Sequence, residues 1–270
     1  MGLLVLILGG LAVGAVFGLG GGSDGDGDGD GGGTDEPMTL EGTSGSEELL
    51  GGSGDDVIDG NGGFDDIDGR GGDDTITTGS GGFAELFGGA GNDTIVVNPE
   101  GGLGNAYAYG GSGEDDLTGS ENQDWLFAHG FESLEDYQDA IAAAPDPFAA
   151  FLDVPGGDTD ADTLDGGAGD DLLYFSGGDT ATGGDDSDTF HVLESDVILG
   201  ASNPATITDW ISTDGGIELY DVPPGAVLTL AASGGDALIQ LDGETVVIVQ
   251  GADGVLTLSD VSTTQLSLGD

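Results

Sequence analysis

Eleven carboxylates recur in this chain at a spacing of about nine residues: Glu47, Asp56, Asp65, Asp74, Asp93, Asp115, Asp124, Asp162, Asp171, Asp179 and Asp188. Each stands sixth in a nine-residue unit, such as GGSGDDVID (51–59), GNGGFDDID (60–68) and GRGGDDTIT (69–77). Units begin at 42, 51, 60 and 69, then at 79, 88, 101, 110 and 119 after short insertions, and a second block begins at 157, 166, 174 and 183. The glycines of positions one and four, Gly51 and Gly54, Gly88 and Gly91, Gly110 and Gly113, Gly166 and Gly169, allow left-handed backbone and turn carbonyl oxygens to the inside of a tight loop. Carboxylate and carbonyl together make an oxygen-only donor set, which suits a large hard cation, calcium rather than zinc or copper. The ten aspartates and these eight glycines are therefore the candidate metal-binding residues.

The residues that hold such loops in place are legible in the same period. Position eight is apolar in every unit, from Leu49 and Ile58 to Leu173 and Phe190. Positions seven to nine thus read as a short strand with one buried side chain. One loop offers too few oxygens, so a site has to form between two stacked loops. If one loop and one strand make half a coil, about eighteen residues make a full turn, and units of equal parity stack on one edge. In the first block the even units carry Asp56, Asp74, Asp93 and Asp115, while the odd ones carry Glu47, Asp65, Ala84, Ala106 and Asp124. One complete carboxylate row and one interrupted row are expected, with Phe64, Phe83 and Tyr107 near the gap as a packing or contact surface.

The units GGSGDDVID, GGAGNDTIV and GGAGDDLLY resemble the glycine-rich repeats of the bacterial repeats-in-toxin (RTX) family, hemolysin-type calcium-binding proteins, over residues 42–127 and 157–191. The resemblance implies an all-β fold, a parallel β-roll or β-helix with several calcium ions in its loops. It also implies calcium-triggered folding after export by type I secretion machinery, and so an extracellular or cell-surface bacterial protein.

Composition excludes other classes. One Lys or Arg against 53 acids gives a formal charge of -52. Nucleic acid and anionic lipid headgroups are therefore no partners, since both need clustered cations. The chain has no cysteine, and hence no disulfide, thiolate metal site or cysteine nucleophile. No H-E-x-x-H and no G-x-S-x-G elbow is present, and the two histidines, His129 and His191, stand 62 positions apart without an adjacent ligand pattern. Adjacent aspartates read as loop ligands rather than a glycosidase pair, and Trp125 and Trp210 as packing. The chain reads as a non-enzymatic calcium-binding structural protein. An adhesin or carbohydrate-binding module in the C-terminal strands is the alternative, with a cryptic secreted hydrolase behind it.

Four segments flank or divide the repeats. Within 1–22, residues 3–19 are uncharged and apolar, and Gly10, Gly14 and Gly18 recur every fourth position, as in packed membrane helices. They read as a retained anchor in contact with the membrane or as a removed signal. Residues 23–41 are an acidic Gly/Asp linker, whose Asp24, Asp26, Asp28, Gly29 and Asp30 imitate the start of an EF-hand loop, with Asp35 at its twelfth position, but without its helices. In 128–156, the stretch FESLEDYQDAIAAA aligns Phe131, Leu134, Tyr137 and Ile141 on one helical stripe behind a Ser133/Asp136 capping box. That helical insert is expected over an end or edge of the stack, with partner binding as the alternative. After the second repeat block (157–194), residues 195–270 read as an antiparallel β cap with a secretion signal, and Asp242-Gly243 marks a two-residue hairpin.

Overall fold

The repeat triplets form strands that bury only their middle residue, as in Val57–Asp59, Thr75–Thr77, Thr94–Val96 and Asp116–Thr118. The computed structural model describes residues 5–6, 14–17, 36–98, 104–131, 133–143, 160–193, 203–220 and 222–264. Within them the strands alternate between two eleven-stranded sheets, parallel along the repeats. In one sheet the buried residues pair in the order Ile58, Ile76, Ile95, Leu117, Leu164, Ala181. In the other the order is Leu49, Ile67, Leu86, Ala108, Leu126, Leu173, Phe190. All of these side chains are fully buried and meet in one core between the sheets. This is the parallel β-roll that the resemblance implied, with the half-coils stacked by parity as the period predicted.

Glycine at position four is a packing requirement. Gly113 has φ 127° and Gly91 φ 137°, and a β-carbon on Gly113 would collide with the carbonyl oxygen of Gly91 one coil away. The same relation links Gly82 to Gly63 and Gly63 to Gly45. Gly113→Ala is expected to cost at least about 1–3 kcal/mol from backbone strain alone, read as a lower urea midpoint in saturating calcium.

The insert forms the helix Leu134–Ala143. Ser133 opens it, its Oγ accepting from the Asp136 N–H at 3.2 Å and donating to the Asp136 carboxylate at 2.9 Å. The helix lies on the outer face of the sheet that buries Leu49 to Phe190, and not over an end or edge of the stack as its sequence suggested. Its Leu134 N–H donates to Asp68 Oδ2 at 3.1 Å, and Tyr137 Oη donates to Glu85 Oε1 at 3.0 Å. The reason is an aromatic ladder beneath it. Phe87, Tyr109, Phe127, Tyr174 and His191 stack at 5.0, 4.6, 4.6 and 4.2 Å between ring centres. Each is the ninth residue of an odd unit, facing away from the main core. Phe131, Leu134 and Tyr137 cover part of this ladder and make a second apolar layer. The side chain of Ile141 lies outside the described residues. Phe127→Ala, which removes the middle ring, is expected to lower stability by about 3–5 kcal/mol, read from urea unfolding with calcium present.

Towards the C-terminus, Ala205–Ile207, Gly216–Tyr220 and Val261–Thr264 prolong the parallel sheets. The antiparallel cap proper is the meander Leu228–Ser233, Asp236–Leu241 and Glu244–Val249. Asp242 and Gly243 turn between the last two strands with φ 52° and 93°, as a two-residue hairpin requires. At the other end Gly14–Phe17 runs parallel to Glu47–Leu50, with Val5–Leu6 antiparallel to it. Among the described residues no helix is long and apolar enough to cross a membrane. The rest of 1–22, the EF-hand-like tract 24–35 and the chain's last six residues lie outside the described residues.

Candidate metal centre

Coil parity sorts the sixth residues into two rows, one on each edge of the roll. In one row each carboxylate accepts the backbone N–H of its counterpart one coil earlier. Met38 donates to Asp56 Oδ1 at 2.7 Å, Asp56 to Asp74 at 2.6 Å, Asp74 to Asp93 at 2.7 Å and Asp93 to Asp115 at 2.8 Å. The row then crosses the insert, with Asp115 donating to Asp162 at 2.7 Å and Asp162 to Asp179 at 3.1 Å. On the opposite edge Glu47 donates to Asp65 at 3.0 Å, and the row stops at Ala84. It resumes where the Ala106 N–H donates to Asp124 at 2.7 Å, followed by Asp124 to Asp171 at 2.7 Å and Asp171 to Asp188 at 3.0 Å. Ala84 and Ala106 pair directly across the gap. Beside it Phe83 and Tyr107 pack edge to face at 5.0 Å, while Phe64 stands 64 % exposed.

All ten aspartates are buried. Arg70, the chain's single Lys or Arg, points its guanidinium at the Gly51 carbonyl 3.4 Å away. Part of the charge is met by backbone donors: Gly52 N–H reaches Asp56 Oδ2 at 2.6 Å and Ser120 N–H reaches Asp124 Oδ2 at 2.7 Å. For Asp74 and Asp171 the second oxygen is buried with no hydrogen-bond partner. The glycine ahead of each turn makes room for something else. A β-carbon on Gly166 would stand 2.5 Å from Asp171 Oδ2 and 2.5 Å from the Gly183 carbonyl oxygen. On Gly88 it would meet Asp93 Oδ2 and the Gly110 carbonyl oxygen, again at 2.5 Å each. Carboxylate and carbonyl oxygens of successive coils thus converge on a space that any side chain would fill.

Burial without a counter-charge raises these acids. Asp74 and Asp171 are pushed up to about 8, Asp65 to about 7 and Asp188 to about 6, desolvation being the largest cause in each. A bound dication reverses that logic, because it supplies the missing positive charge where the oxygens converge. The donors are hard oxygens on glycine-rich loops, and calcium fits them.

Fold and donor set together define a calcium-binding parallel β-roll. The sequence pattern of the RTX calcium-binding nonapeptide repeat matches the chain in four copies, at residues 41–76, 78–98, 100–131 and 157–179. Over those residues the chain carries RTX calcium-binding nonapeptide repeats, and such repeats bind several calcium ions. No curated protein matches the chain.

Both histidines are buried beyond their ordinary solvation, and burial lowers each to about 4. His191 ends the aromatic ladder, 3.5 Å from Glu218. His129, which spacing along the chain left without partners, lies beside Asp162 and Asp179.

In the unbroken row, Asp93→Asn is expected to raise the calcium concentration needed for folding at least about tenfold, the low end of the loss for altered metal shells. Calcium titration followed by circular dichroism checks this, and Asp116→Asn, an exposed neighbour, is expected to leave the midpoint unchanged.

Proposed function

We propose that this chain is a secreted or cell-surface structural protein whose β-roll is assembled by extracellular calcium. The observation that carries the reading is the continuous row of buried carboxylates from Asp56 to Asp179, bonded coil to coil and short of cations. The ligands in this reading are the ten position-six aspartates, with the carbonyls of the turn glycines beside them. Extracellular calcium modules work at about 10⁻⁴ to 10⁻³ M. A chain of that affinity stays open in a calcium-poor cytosol and folds outside, which fits passage through a type I secretion channel as an unfolded thread. The repeat blocks 42–127 and 157–194 then act as one stack, with the helix Leu134–Ala143 of the insert on its face and the antiparallel meander of the C-terminal segment as its cap. Residues 3–19 hold the protein at the membrane or are removed, and sequencing the N-terminus of the mature protein separates the two. Calcium titration of the full chain is the deciding test. A folding midpoint in the submillimolar to millimolar range supports the reading, and one below about 10⁻⁶ M, at which the chain folds before export, overturns it.

A further inference from the structure

His129 sits two residues past the end of the strand Trp125–Phe127. Continuing the pairing of Tyr109 with Phe127 and of Phe127 with Tyr174, it holds the turn position of Gly111 one coil earlier and Ser176 one coil later. It is 6 % exposed, and neither ring nitrogen has a hydrogen-bond partner. One donor atom each from His129, Asp162 and Asp179 lie within 4.8 Å of one another, all three residues buried. In a tetrahedral site donors about 2.1 Å from the ion stand about 3.4 Å apart, so the widest pair of the group closes by up to about 1.4 Å to hold one ion. The carboxylates are already held. Asp115 N–H donates to Asp162 Oδ1 at 2.7 Å, Asp162 N–H to Asp179 Oδ1 at 3.1 Å, and Ser176 N–H to Asp179 Oδ2 at 2.6 Å. Outer bonds of this kind orient metal ligands.

We propose that His129, Asp162 and Asp179 form a site for a divalent transition metal of the zinc class, set into the complete carboxylate row where the helical insert leaves the stack. A neutral imidazole is a poor ligand for calcium and a good one for zinc, cobalt or nickel. With two carboxylates it makes a three-ligand set of the kind zinc accepts. Asp162 and Asp179 then serve this ion, which leaves eight of the ten position-six aspartates to calcium, and the calcium reading above rests on those eight. Its role is structural: it ties the residue that begins the insert to the two coils that follow it, across 33 and 50 positions of sequence (162 minus 129 and 179 minus 129).

The test uses the untagged full chain in millimolar calcium, titrated with zinc(II) while the ¹⁵N resonances of its two imidazoles are followed. One equivalent is expected to shift His129 and leave His191 in place. His129→Gln is expected to weaken zinc binding at least about tenfold with the calcium-induced strand signal intact. An unmoved His129, equal zinc affinity in the variant, or loss of the shift in excess calcium overturns the site. Should the variant fail to fold, the titration of the natural chain decides alone.

Discussion

Stripping calcium from the folded chain at neutral pH is expected to abolish its strand signal and open it from a radius of gyration of about 20 Å towards about 55–60 Å. The cause is the inventory of the turns. Ten aspartates are buried along two edges, and the chain has a single Lys or Arg to set against them. Backbone N–H groups engage the Oδ1 atoms from coil to coil, but at Asp74 and Asp171 the second oxygen has no donor. A net charge of -52 adds self-repulsion to that local deficit. Without the ion, neither the core of single residues per strand nor the glycine-rich turns can offset these costs. Binding and folding are then one equilibrium, and the metal affinity is folding free energy. Circular dichroism and small-angle scattering before and after chelation check it, and an unchanged, compact, strand-rich chain in chelator contradicts it.

Much of this architecture follows from a period of nine, because in a β-roll the residues that touch are one coil apart and the period names them. Asp56 above Asp74 above Asp93, and the break at Ala84 and Ala106, are statements about copy number that the coil turns into contacts. The hairpin at Asp242-Gly243 and the Ser133 cap are local chemistry and equally legible. The aromatic ladder was open to the same reasoning. Phe87, Tyr109, Phe127, Tyr174 and His191 are all ninth in odd units, but a strand triplet read with one buried residue sends its ninth position to solvent. What buries the ladder's Phe87 and Tyr109 is the insert helix, whose resting place depends on Asp68 and Glu85, far away in sequence. His129 escaped for a related reason. The insert separates it from Asp162 and Asp179 along the chain, and only the stacking of coils across that insert restores their register.

Acid is expected to replace calcium in part. In the folded chain Asp188 is raised to about 6, Asp65 to about 7, and Asp74 and Asp171 to about 8, against 3.8 for an unperturbed aspartate, burial being the first cause in each. Between the unfolded value and these folded ones the native state binds more protons than the unfolded chain, so the stability of the calcium-free fold falls as pH rises. That contribution is whole below about pH 4 and is lost as pH climbs through 6 to 8. The calcium-free chain is therefore expected to gain strand signal when taken from pH 8 to pH 5, above its pI of about 4.1, where its net charge still keeps it dispersed. Calcium affinity runs the other way, since protons compete for the same oxygens and the ion binds more weakly at pH 5 than at pH 8. Asp74→Asn separates the two effects. Its amide stays neutral at every pH, so the metal-free variant should be less dependent on pH than the natural chain while needing more calcium to fold at pH 8. A calcium-free chain as unfolded at pH 5 as at pH 8 would mean that these carboxylates are not buried before the ion arrives.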